Sequence, residues 1–173
     1  MLQVRIELES LAGSKGAFAH VYAPGELDFS DDRVRLSGGP EVSGTLVLKG
    51  KRLLLHGRLA AQTKVDCDRC LRLVDVSVES QFSLQYATEL EHQSSAVELE
   101  EDDMTVSLFD GEAIDIDELV REQVLLAVPE RILCQEDCHG LCPTCGADRN
   151  LKQCGCEGVD TDPRWAALKN LRF

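Results

Sequence analysis

Along the first 88 residues apolar and polar positions alternate, the period of strands that bury one face. Leu2, Val4, Ile6 and Leu8 interleave with polar or charged side chains. Residues 17–22 follow the turn Gly13-Ser-Lys-Gly16 and read as the partner of that first strand. Ser37-Gly-Gly-Pro40 then interrupts the chain. Residues 42–48 and 53–61 flank Lys49-Gly50-Lys51, a hairpin with glycine in its turn. Val74, Val76, Val78, Phe82, Leu84 and Tyr86 continue the alternation. The pattern predicts at least five antiparallel strands, hence a twisted sheet that can close into a barrel.

The period changes near residue 114. In Asp115-Ile-Asp-Glu-Leu-Val-Arg-Glu-Gln-Val-Leu-Leu-Ala-Val128, the residues Leu119, Val120, Val124 and Ala127 form a helical stripe. Asp115 caps this helix and Glu118 completes a capping box. Pro129 stops it, because proline disfavours helical geometry in the residue before it. The stripe is expected to pack on the sheet. Near the C-terminus, Asp162-Pro163 reads as a cap and first position of a short helix. Trp165, Leu168 and Leu171 share a face there, expected to dock on the domain or to meet a partner. The predicted fold class is therefore α+β. Residues 1–88 form a strand-rich part, 89–113 an acidic loop, 114–129 a packed helix and 130–173 a cysteine-rich tail with a terminal helix.

Charge sharpens this division. Of 173 residues, 31 are acidic and 18 basic, a formal net charge of −13. Residues 1–88 carry 11 acidic and 11 basic side chains, and residues 131–173 carry 6 of each. Residues 89–122 carry 13 acidic side chains and one basic, Arg121. A chain that grips nucleic acid by neutralising phosphates should show a basic surplus, and no segment does. The run Glu98-Leu-Glu-Glu-Asp-Asp103 reads as a solvated, self-repelling tether or as a docking surface for a basic partner. Lys49, Lys51, Arg52 and Arg58 are the candidate RNA contact, with a solvated turn as the plainer reading. No apolar run approaches the ~18 residues of a membrane helix. The start lacks the basic, then unbroken apolar, order of a secretion signal, so a cytoplasmic setting is expected.

The eight cysteines are Cys67, Cys70, Cys134, Cys138, Cys142, Cys145, Cys154 and Cys156. In a reducing compartment structural disulfides are rare. The segment 134–156 holds six of the eight and has too few apolar residues to fold on a core of its own. Metal supplies what burial cannot, on the order of 10 kcal/mol in small zinc modules. Cys142-Pro-Thr-Cys145-Gly146 aims two sulfurs at one ion, with glycine allowing the turn that faces backbone N–H groups toward them. Zinc takes four such ligands, which predicts one or two structural Zn2+ ions. The favoured partition puts Cys142, Cys145, Cys154 and Cys156 on one ion, and Cys67, Cys70, Cys134 and Cys138 on a second. A single site of Cys134, Cys138, Cys142 and Cys145 is the competing arrangement. Cys67-Asp-Arg-Cys70 could instead be a thiol oxidoreductase pair, but such pairs sit at helix N-termini within βαβ units, and strands flank this one. His139 is read as a loop residue rather than a ligand. No phosphate loop, nucleophile elbow or His-Glu-x-x-His motif is present, and an all-cysteine set describes closed, structural sites rather than an enzyme.

Taken in order, Cys67-Asp-Arg-Cys70-Leu71, the acidic linker, the helix ending at Pro129, Leu133-Cys-Gln-Glu-Asp-Cys-His-Gly-Leu-Cys-Pro-Thr-Cys-Gly146 and Asp162-Pro-Arg-Trp-Ala-Ala-Leu168 resemble the bacterial YceD-like family, the large ribosomal RNA subunit accumulation proteins. The resemblance covers most of the chain from about residue 40. It implies a role in synthesis, processing or accumulation of large-subunit ribosomal RNA. Together with the acidic stretch 89–122, it suggests a basic ribosomal protein or a pre-ribosomal particle as partner. One departure is Arg149, where the family usually carries a neutral residue before Asn150-Leu151.

Overall fold

Strand β5 (Arg52–Asp66) organises the first of two compact units, which comprises residues 1–65 and 75–130. In this computed structural model the described residues are 4–10, 14–50, 52–88, 106–109, 111–156 and 164–165. From residue 53 to 65 the odd positions of β5 turn inward, and Leu53, Leu55, Leu59, Ala61, Thr63 and Val65 are all buried. The even positions His56, Arg58, Ala60, Gln62 and Lys64 face water. This is the alternation expected of a sheet with one solvated face.

Strand β4 (Glu41–Lys49) pairs antiparallel with β5 from Glu41↔Ala60 to Lys49↔Arg52, so the predicted hairpin is present. Gly50 takes a φ of 62° in its turn, a backbone conformation in which a side chain is strained. Strand β3 (Val34–Leu36) pairs with β5 further along the same edge, Leu36 lying opposite Thr63. Between Leu36 and Glu41 the chain advances five residues, while their partners Thr63 and Ala60 are three apart. The Ser37–Pro40 interruption is therefore a two-residue bulge in one long broken strand.

The remaining strands correct the expected topology. Strand β2 (Lys15–Val21) pairs with β4, not with the N-terminal strand. Strand β6 (Leu73–Ala87) continues from β5, and β7 (Val106–Leu108) joins β6 in parallel. The order β2-β4-β5-β6-β7 runs from one edge to the other, so the sheet is mixed and open rather than a closed antiparallel barrel. The N-terminal strand β1 (Arg5–Glu7) is shorter than its alternation suggested and passes into a 3-10 turn at Leu8–Ser10. It pairs with β8 (Ala113–Asp115) in a separate two-stranded ribbon. Thus β7 falls where a loop was expected, and β8 spans the expected boundary between loop and helix. The run Glu98–Asp103 lies outside the described residues. The α+β class holds.

Helix α1 (Ile116–Ala127) begins where its cap predicts. The Asp115 side chain accepts from the Glu118 N–H at 3.1 Å. Its C-cap Val128 is extended, as a residue before proline should be. Ile116, Leu119, Val120 and Val124 are buried, and so are Asp117 and Gln123. Asp117 is satisfied by the buried Tyr22, whose hydroxyl donates to its Oδ1 at 2.7 Å. Arg121 Nε donates to the Asp28 carbonyl at 2.6 Å, so the segment between β2 and β3 is tied to α1 twice. Leu126 remains 72% exposed. Among the described residues, no helix is long and apolar enough to cross a membrane.

Residues 66–74 do not stay with the strand-rich part. They join residues 131–173 in the second unit. Of the predicted terminal helix only Arg164 and Trp165 are described, and Trp165 is 58% exposed rather than docked.

Replacing Tyr22 by Phe should destabilise the protein by about 1–2 kcal/mol, because the buried Asp117 carboxylate loses its donor. The urea midpoint should fall with an unchanged slope, and an unchanged midpoint would show that water replaces the hydroxyl without cost.

Candidate metal centre

The second unit is built around sulfur. Cys67, Cys70 and Cys138 are buried together, with Val74, Leu133, Cys134 and Leu141 packed against them. Two groups of four cysteines bring all their sulfurs within 4.8 Å of one another. One group is Cys67, Cys70, Cys134 and Cys138; the other is Cys142, Cys145, Cys154 and Cys156. The competing set of Cys134, Cys138, Cys142 and Cys145 is split between them. Cys67 and Cys138 sulfurs are 3.9 Å apart, and Cys70 and Cys134 sulfurs 3.6 Å. A disulfide needs about 2.05 Å. A tetrahedron with ~2.3 Å zinc–sulfur arms has edges of about 3.8 Å, so the spacing fits four thiolates around one ion. Each tetrad can hold a metal ion.

The two groups share a backbone device. In the connection between β5 and β6, the Cys67 N–H donates to the Arg72 carbonyl at 2.8 Å and the Leu71 N–H to the Cys67 carbonyl at 3.0 Å. In the tail, the Cys142 N–H donates to the Ala147 carbonyl at 2.8 Å and the Gly146 N–H to the Cys142 carbonyl at 2.9 Å. The residue after the second cysteine turns left-handed in both, with φ of 60° at Leu71 and 70° at Gly146. Glycine adopts this freely, whereas leucine is strained there. The turn aims N–H groups at the first sulfur of each pair. Burial raises the Cys67 thiol, but the N–H groups of Arg69, Cys134 and Cys70 outweigh it and lower its pKa to about 6. The N–H groups of Cys145 and Thr144 likewise lower Cys142 to about 6. Their companions move the other way. Burial and then the Cys70, Cys138 and Cys67 thiols push Cys134 up to about 12. Cys145 first, then burial and Cys142, push Cys156 up to about 12. Each group thus pairs a thiol that ionises readily with one that resists ionisation.

Polar residues between the cysteines hold the groups in place. Arg69 donates to the Cys138 carbonyl at 2.6 Å, and its own carbonyl accepts from the Leu141 N–H at 3.0 Å. Asp68 and Ile132 exchange hydrogen bonds of 2.6 and 2.9 Å. Asn150 Nδ2 points at the Cys138 sulfur at 3.4 Å, and its Oδ1 accepts from the His139 N–H at 2.8 Å. Asp148 orients Asn150 and pairs with Arg72 at 3.3 Å. In sequence these residues carry no signal beyond being polar side chains set among cysteines. Arg149 makes a backbone contact to Gly140. His139 lines a cleft beside Cys142, Cys154 and Cys156 but belongs to neither group. Cys67 and Cys70 lie at no helix N-terminus, and each sulfur touches a cysteine of the tail. Of the candidate RNA contacts, Lys51 lies outside the described residues. Lys49 pairs with Arg52 beside the hairpin turn, and Arg58 lies about 20 Å further along the same strand at ~3.3 Å per residue.

Two substitutions test the left-handed positions. Leu71 is 64% exposed, so Leu71→Gly should relieve strain without losing burial and stabilise by roughly 1 kcal/mol. Gly140→Ala should destabilise by about 1–3 kcal/mol, since φ there is 70° and a Cβ would sit 2.8 Å from the Arg69 carbonyl oxygen. Thermal melts of the reduced, metal-replete protein check both signs.

A family model described as Large ribosomal RNA subunit accumulation protein YceD matches residues 55–172, a span that contains all eight cysteines. The chain is 28% identical over 154 residues to a protein of Arabidopsis thaliana named Large ribosomal RNA subunit accumulation protein YCED homolog 1, chloroplastic. That match covers 76% of this chain and 48% of the relative. It is 34% identical over 119 residues to an uncharacterized protein of Mycobacterium tuberculosis, covering 69% of this chain and 55% of that one. To the uncharacterized protein YlbN of Bacillus subtilis it is 28% identical over 147 residues, 84% of this chain and 81% of the relative. The chain thus spans about half the length of the plant and mycobacterial relatives. No solved structure matches it. With the family model matching well over half of its length, the chain belongs to the YceD family of large ribosomal RNA subunit accumulation proteins.

Proposed function

We propose that this protein is a non-enzymatic, zinc-stabilised adaptor that supports accumulation of large-subunit ribosomal RNA. The observation that carries the reading is the family match over residues 55–172, with both cysteine tetrads inside it. Zinc is the proposed metal because all eight donors are thiols and each set of four fits a closed tetrahedron with no position for substrate. Iron accepts the same donor set, so the metal's identity is part of the test. A reducing compartment such as the cytoplasm keeps the thiols available for metal. The partner is a basic ribosomal protein or pre-ribosomal particle, drawn by the 13 acidic side chains in residues 89–122.

Protein purified reduced and free of chelator should carry two zinc ions per chain, one per tetrad. Cys67→Ser/Cys70→Ser and Cys142→Ser/Cys145→Ser should each lower the content to about one. Finding iron overturns the zinc assignment, and finding no metal overturns the metal sites. Cys145 and Cys156 are exposed whereas Cys67, Cys70 and Cys138 are buried. A graded chelator titration should therefore empty the second tetrad first.

Cells lacking the protein should hold less mature large-subunit ribosomal RNA relative to the small subunit, and an unchanged ratio would remove the proposed role. Deleting residues 94–103 should weaken capture of basic ribosomal proteins, most at low salt, where screening is least. Capture and RNA ratio both indifferent to the deletion would sink the charge-steered version.

A further inference from the structure

A cleft of about 380 Å³ opens in the first unit between β6, β7, β8 and the first turns of α1. Tyr86, Leu108 and Phe109 give it an apolar lining, and Glu118 and Glu122 line it from the helix. The Tyr86 and Phe109 rings meet edge to face with centroids 5.9 Å apart. Leu108 is 60% exposed and adds apolar surface to the cleft wall. Arg5 also lines the cleft, but its Nε lies 3.8 Å from the Asp115 carboxylate. Among the described residues, no ion pair neutralises Glu118 or Glu122.

These features select one kind of occupant. The volume is near the lower end of ligand pockets, roughly 300–1,000 Å³, and has room for one or two side chains. Aromatic rings and carboxylates in one cleft suit a cation with an apolar stem, since ring faces attract ammonium and guanidinium groups. The metal-capable groups found among the described residues are the two cysteine tetrads, so these carboxylates are too dispersed to chelate an ion. Nucleic acid would bring phosphates against the same carboxylates. The negative field is already felt inside the cleft. Burial first, then Glu122 and Glu118, raise the Tyr86 phenol to about 12.

We propose that this cleft docks a cationic segment of a protein partner, laying an arginine or lysine side chain against Tyr86 and Phe109 with its charge toward Glu118 and Glu122. The inference rests on the proposed basic partner and deepens it by naming the contact residues. The charge of stretch 89–122, 13 acidic side chains against one basic, steers the segment in, and the cleft holds it.

The test uses the full, metal-replete chain and a short fluorescein-labelled peptide of alternating arginine and glycine, followed by anisotropy at low and moderate salt. Its counterpart with glutamate in place of arginine should not bind. Glu118→Gln/Glu122→Gln should weaken arginine-peptide binding roughly tenfold, as expected for losing two charged contacts to a desolvated cation. Phe109→Ala should weaken it severalfold with little change in salt dependence. Leu108→Ser, at an exposed position, is a second probe of the apolar lining if Phe109→Ala disturbs folding, and should also weaken binding. If the carboxylate variant weakens binding while neither apolar variant does, charge alone holds the peptide and the cleft is overturned. Unchanged affinity in all three overturns it too. Deleting residues 94–103 separates the two ideas. Loss of binding on deletion, with cleft variants unaffected, leaves the charge-steered partner standing and removes the cleft.

Discussion

Four thiolates cannot share a space less than 5 Å across unless something offsets their charge. In the second unit this constraint governs the rest. Among the described residues its buried apolar side chains are Cys67, Cys70, Ile132, Cys138 and Cys142, so sulfur stands where another small module would place leucine. Thiols pack as small apolar groups while protonated and repel one another once ionised. The N–H groups aimed at Cys67 and Cys142 favour ionisation, while the neighbouring thiols oppose it at Cys134 and Cys156. A divalent cation would resolve that conflict, and the Asp148–Asn150–Cys138 chain orients one of the sulfurs that would meet it.

The first unit solves a different problem by ordinary means. Its sheet buries one face of β5 in leucine and valine and leaves the other to water. Its polar groups are placed where they fix connections: Tyr22 on Asp117, Arg121 on the Asp28 carbonyl, Asp115 on the first turn of α1. Those ties hold the helix that presents Glu118 and Glu122, so the proposed docking cleft rests on rigid elements.

Local signals were read well from sequence. The Lys49-Gly50-Lys51 hairpin, the Asp115 cap and the Pro129 stop depend on neighbours a few residues away, and each stands where its residues place it. Non-local pairing was not legible. Nothing in Leu2 to Leu8 says that its strand should meet residues 113–115, nor that 106–108 should add in parallel to β6. Three-residue strands carry too little periodicity to stand out from a loop. Cysteine spacing took the reading further, because four-fold coordination limits how eight thiols can be grouped. It could not show that Leu71 copies the turn of Gly146, since leucine gives no hint of a positive φ. The polar residues around the thiols act only through folded contacts, so they looked like ordinary surface.

The two tetrads differ in how much chain they enclose. The second closes within residues 142–156, whereas Cys70 and Cys134 of the first are 64 residues apart. Cross-linking a loop of that length removes about 4 kcal/mol of chain entropy from the unfolded ensemble, against about 3 kcal/mol for a dozen residues. The local clasp can form by short-range search, while the other must wait for two distant segments to meet. Everything between them, including β7, β8, α1 and the acidic stretch, lies inside that larger ring. A metal in the first tetrad would close its loop late, and losing it would lengthen that loop without undoing the pairing of β7 with β6, of β8 with β1, or the burial of α1.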